Sequence, residues 1–207
     1  MQQAPVMMYY IVFGLGLLVQ FVWIVIGRGA RNSYLRSVTH FSRPSSTLGR
    51  FYTWRISRVY HVLLEGIALD LGILAAMVVL VFPSVSLVEI IDTLPILALV
   101  LVLTFMSAVQ EANRIRAVLR AEQHLLRDIS SDTDKVGRVE LIVESLLSQG
   151  KMADGSVWMA LFNISLVQNP IGYAVRDVLM EKRSEFPRAR GPGKEPSVSP
   201  DNGPGIT

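Results

Sequence analysis

The sequence predicts an all-α integral membrane protein with three transmembrane helices, N-terminus outside and C-terminus inside. The third helix is expected to continue as an amphipathic helix into a small helical C-terminal region. Three observations carry this reading. First, 51% of the 207 residues are apolar and only 18% are charged, where a soluble domain carries roughly 25%. Mean hydropathy is +0.40. Second, three apolar runs approach the length of about 20 residues that a helix needs to cross a bilayer. Third, the charges between those runs are sorted by sign.

The first run covers residues 7–26 and is interrupted only by Gln20. It is continuous rather than alternating and longer than a barrel strand, so it reads as a helix. No charge precedes Arg28, so the basic n-region of a signal peptide is missing, and a retained anchor is expected. An inner loop over 27–61 follows, with seven arginines and neither lysine nor acidic residue: Arg28, Arg31, Arg36, Arg43, Arg50, Arg55 and Arg58. Such a loop stays on the cytoplasmic or matrix side.

The second span is expected over 62–82 and the third over 94–110. The link between them carries Glu89 and Asp92 and no basic residue, which suits the outer side. Asp92 or Thr93 caps the third helix and Pro95 falls in its first turn. Arg114, Arg116, Arg120 and Arg127 return the chain to the basic side.

These spans make a transmembrane domain over 1–110, followed by a helical region over 111–186 and a tail over 187–207. Ile115, Val118, Leu119, Leu125, Leu126 and Ile129 form one apolar stripe at helical spacing. The stripe needs a partner, whether another helix of this chain, another subunit or the membrane surface. A polar break at 130–134 precedes a short helix over 139–147. The stretch 155–175 is uncharged, yet Asn163, Gln168, Asn169, Pro170 and Gly172 suit it poorly to hydrocarbon. A buried or interfacial helix broken near Pro170 is expected there, not a fourth span, with a second helix running to about Lys182. The tail is rich in Pro, Gly and Ser and is expected to be disordered.

The second span holds the most informative residues. Ala68, Gly72 and Ala76 recur every four residues, a spacing that lets another helix approach closely in lipid. His61 and Glu65 project on the same side and form a boundary pair near the basic end. Asp70 projects roughly opposite, so the span is expected to be contacted on two sides. An ionisable group at that depth costs about 3 kcal/mol and is a functional candidate by default. Gln20, Thr104 and Ser107 lie at similar depth and are expected to join Asp70 in one intramembrane polar layer. The seven arginines fix topology, and they also suit docking to anionic lipid headgroups or an acidic partner. Phe51, Tyr52, Trp54 and Tyr60 interleave with them as an interfacial aromatic belt would.

Other chemistry is poorly represented. Cysteine is absent, which removes disulfides, thiolate metal sites and iron–sulfur ligation. His61, His40 and His124 are scattered, without HxxxH or ExxH spacing. Asp132, Asp134, Gly137 and Val139 match part of a calcium loop, but Val136 and Val143 stand where ligands are needed, so a capped turn is expected. No GxSxG, P-loop, GxGxxG or HExxH motif occurs, and Gly14 and Gly16 read as packing residues. No catalytic residue, metal or cofactor is therefore assigned, nor a small-molecule substrate or nucleic acid.

In layout alone the chain is similar to the membrane-protein insertases: three spans, an outside N-terminus and a basic inner face. It lacks their longer coiled-coil hairpin between the first two core spans, and no span holds an arginine. The expected function is that of a non-catalytic accessory or structural subunit of a multi-subunit membrane complex, with lipids and other integral membrane subunits as partners. The alternatives are a small homo-oligomeric channel or transporter using Asp70, and an insertase-like assembly factor. The host membrane is the plasma membrane of a prokaryote or an organelle inner membrane.

Overall fold

Backbone polar groups must be satisfied internally in hydrocarbon, so apolar runs of this length become helices. In the computed structural model, which describes residues 3–81, 86–148 and 155–182, the described chain is helical with no strand. Three of its helices are long and apolar enough to cross a membrane. The elements are α1 (Gln3–Thr39), α2 (Thr47–Ser57), α3 (Val59–Ala76), α4 (Leu87–Ser131), α5 (Lys135–Ser148), α6 (Gly155–Leu166) and α7 (Pro170–Glu181). A π-helical turn, Met77–Val81, extends α3.

The arginine-rich segment departs from the expected loop. α1 does not stop at Ile26 but runs on to Thr39, so Arg28, Arg31 and Arg36 ride on a helix. Nothing between 27 and 39 breaks it, and the next proline is Pro44. The end is built by Phe41, at φ 48°. There the Phe41 N–H bonds the Val38 carbonyl and the Ser42 N–H bonds the Ser37 carbonyl, a Schellman closure of the last turn. Ser46 then caps α2, accepting from the Gly49 N–H at 2.9 Å. Arg58, at φ −134° and ψ 57°, is the joint between α2 and α3.

α4 is 45 residues long. Its continuation past Gln110 matches the expected amphipathic helix. Its start does not match, because α4 begins at Leu87 and not at an Asp92–Thr93 cap. Pro95 thus lies inside the helix, at an exposed position, and Glu89 and Asp92 belong to the helix and not to a link. Prolines are tolerated inside such helices when neighbouring groups re-satisfy the backbone.

Burial is inverted along the apolar stretches. Phe21, Leu71, Leu99 and Val102 are exposed, along with most large apolar residues of these helices. The packed interior lies at the two ends. A small cluster of Tyr9, Met77 and Leu97 joins α1, α3 and α4 at one end. A larger one at the basic end gathers the C-terminal part of α1, α2, the start of α3, α4 from Ala112 onward, and α5 to α7.

That larger cluster answers what the α4 stripe packs against. Ile115, Val118, Leu125 and Ile129 are buried there with Leu161, Ile164 and Val175. α6, at 12 residues, is too short to cross a bilayer, and it is buried between α1 and α4. The tail over 187–207 lies outside the described residues.

Candidate functional site

One face of α1 positions the polar groups of the molecule. At i, i+3 and i+4 spacing it presents Gln20, Trp23, Gly27, Ala30, Tyr34 and Val38 inward. Each level meets a different helix, so α1 acts as a spine along which polar pairs are stacked.

At the deepest level Gln20, 2% exposed, donates from Nε2 to Asp70 Oδ1 at 3.0 Å. Thr104 is buried, but its hydroxyl donates to the Val100 carbonyl of its own helix at 3.0 Å. Ser107 is half-buried. Of the expected polar layer, the structure therefore joins Gln20 and Asp70 directly.

One level on, Gly27 makes room for Arg55. A Cβ at Gly27 would lie 3.2 Å from Arg55 Nη1. The Arg55 guanidinium stacks on Trp23 and Phe51, at 5.7 and 5.3 Å to the ring centroids. It pairs with Glu65 at 3.5 Å, and its Nε has no hydrogen-bond partner among the described residues. Glu65 thus turns to Arg55, while the other member of the expected boundary pair, His61, is exposed and meets the Trp54 ring edge to face at 5.7 Å.

Further along α1, Arg31 pairs with Glu111 of α4 at 3.6 Å. Tyr52 is buried beside Glu111, and burial first, then the Glu111 charge, pushes its hydroxyl above the usual tyrosine range. Beyond it, the Tyr34 hydroxyl bonds Asn163 of α6, and Asn163 Nδ2 reaches Glu122 of α4 at 3.4 Å.

The seven arginines consequently divide. Arg55 is buried and Arg31 half-buried, both in internal ion pairs. Arg28, Arg36, Arg43, Arg50 and Arg58 are exposed. Arg58 stacks on Trp54 at 5.7 Å.

The small-residue face of α3 stands open. Ala68 and Gly72 are exposed and Ala76 half-buried, and nothing lies within 4 Å of a Cβ built on Gly72. With Val12, Leu15, Gly16 and Val19 of α1 these residues line an apolar groove of about 390 Å³. The close approach within the chain occurs elsewhere, at Gly66, whose Cβ would sit 2.8 Å from the Ala108 Cβ of α4. A Cβ at Gly16 would lie 3.2 Å from the Ile73 side chain, and one at Gly14 would meet nothing within 4 Å.

No family model matches the chain, and neither the curated proteins nor the solved structures contain a match to it.

Sequence reasoning missed Glu111, Glu122, Tyr34 and Asn163 as members of the polar stack. The signal was present: Gln20, Trp23, Gly27 and Tyr34 keep helical phase across the point where the first span was ended. Among the described residues, no group of three His, Asp or Glu side chains is placed to hold a metal. Asp132 and Asp134 make the expected capped turn, accepting from the Asp134 and Gly137 N–H groups at 3.2 and 3.1 Å.

Proposed function

We propose that this protein is a non-catalytic subunit of a larger membrane complex and works through helix packing inside the bilayer. Its N-terminus lies outside, and its basic end with the C-terminal helices lies inside. The open groove at Ala68, Gly72 and Ala76 carries this reading. Lipid-embedded helices associate through small residues that let backbones approach, and no described helix of this chain covers this set. The polar groups support the same reading. Those along α1 are engaged with one another, as suits a rigid scaffold more than a reaction centre.

The test is the mass and composition of the particle released from its native membrane by gentle detergent. The expected result is a particle with stoichiometric foreign subunits, which Gly72→Leu depletes without unfolding this chain. A particle holding copies of this chain alone would overturn the reading.

A further inference from the structure

Beyond the scaffold role, we propose that the outward face of α2 is a binding site for the headgroup of an anionic phospholipid. Arg43, Arg50, Thr53, Trp54 and Ser57, with Pro44 and Leu166, line an open hollow of about 520 Å³. Arg50, Trp54 and Ser57 share one face of the helix, Arg58 follows at its C-terminal joint, and its other face, Tyr52, Arg55 and Ile56, is buried. The hollow therefore opens away from the protein core.

Its depth is fixed twice. Arg55 packs on Gly27, one residue past the end of the apolar run of α1. Arg58 stands immediately before Val59, where the apolar stretch of α3 begins. Both helices put the last turn of α2 at the membrane boundary, which is headgroup level. Trp54 and Tyr60, 39% and 67% exposed, supply the amphipathic rings that favour this depth.

Charge selects the headgroup. No acidic residue occurs between 27 and 61, none lines the hollow, and Glu65 and Glu111 are engaged by Arg55 and Arg31. Arg43, Arg50 and Arg58 form no ion pair among the described residues. The Thr53 and Ser57 hydroxyls donate to their own backbone at 3.0 and 2.7 Å, so the guanidinium groups are the free donors. Planar, multiply donating guanidinium groups match phosphate oxygens.

The test uses the full chain in a neutral detergent, titrated with phosphatidylglycerol, phosphatidylcholine or inorganic phosphate and read as bound lipid by native mass spectrometry. Phosphatidylglycerol is expected to be retained at least tenfold more than phosphatidylcholine. The double variant R43Q/R50Q is expected to lower that retention about thirtyfold, at roughly 1 kcal/mol per basic residue near the surface. R43K/R50K is expected to keep the charge and lose the fork geometry, recovering part of it. R120Q/R127Q removes two exposed arginines outside the hollow and is expected to leave retention unchanged. Circular dichroism confirms that each variant is folded. Equal retention of the two lipids, equal loss in R120Q/R127Q, or full displacement by inorganic phosphate would each overturn the proposal.

Discussion

Arg55 and Glu65 meet at 3.5 Å across the joint between α2 and α3, and their side chains are 2% and 30% exposed. The pair is lopsided: the cation is enclosed by Trp23, Phe51 and Gly27, while the carboxylate is open on one side. It ties α2, α3 and α1 together at one level, which makes it the rivet of the basic end.

The asymmetry predicts unequal costs. Removing one partner of a buried pair costs about 3–5 kcal/mol because the other charge is left uncompensated. Glu65→Gln strands the enclosed guanidinium and should approach that cost. Arg55→Met leaves a carboxylate that is open on one side and within two turns of the start of α3, and it keeps the contact with Trp23 and Phe51, so it should cost less. The double variant should be no worse than Glu65→Gln alone. Thermal unfolding of the four proteins in one detergent measures the cycle, and equal losses for the two single variants would refute the lopsided pair.

Gly66 and Gly72 lie on the same helix and should respond oppositely to enlargement. A methyl at Gly66 meets Ala108 at 2.8 Å, whereas a methyl at Gly72 meets nothing within 4 Å. Overpacking costs typically 1–3 kcal/mol, so Gly66→Ala should lower the melting temperature and Ala108→Gly in the same chain should restore it. Gly72→Ala should leave the isolated protein unchanged. If Gly72→Ala destabilises the isolated chain as much as Gly66→Ala, the groove is closed within the chain and the open-face account fails.

The long elements were legible because hydrocarbon length and helical phase are written directly into the order of residues. The α4 stripe from Ile115 to Ile129 announced a buried face, and Asn163 and Pro170 marked the stretch that does not span. The close approach at Gly66 was not legible. Ala68, Gly72 and Ala76 make the more regular small-residue pattern, and only the placement of α4 shows that Gly66, off that pattern, is the one in contact. The fate of the arginines was hidden for a similar reason. Composition makes all seven alike, and burial of Arg55 depends on a glycine 28 positions away on another helix.

Asp70 accepts from Gln20 at 3.0 Å, an arrangement that asks for an acceptor and not for a charge. Asp70→Asn keeps an acceptor oxygen in place, so the folded particle should persist with a melting temperature within a few degrees of the parent. Asp70→Leu leaves the buried Gln20 amide without that partner and should cost about 1–3 kcal/mol. Reconstituted vesicles give the complementary reading. A scaffold predicts no Asp70-dependent ion flux, and flux that Asp70→Asn abolishes would transfer Asp70 from packing to conduction.

Tyr52 supplies a pH dependence with a definite sign. Its hydroxyl pKa is raised in the folded chain, by burial first and then by the Glu111 charge, from about 10 in an unfolded chain. The folded state therefore holds the phenolic proton more tightly than the unfolded state does. Below about pH 10 both states are protonated and the contribution of Tyr52 is fully present. As pH rises past that value the unfolded chain loses its proton first, so stability falls. Melting temperatures measured from pH 8 to pH 11 should be level at first and then decline. Tyr52→Phe should make the decline shallower, because the group that binds the differential proton is gone. A Tyr52→Phe profile that falls as steeply as the parent would place the alkaline sensitivity elsewhere.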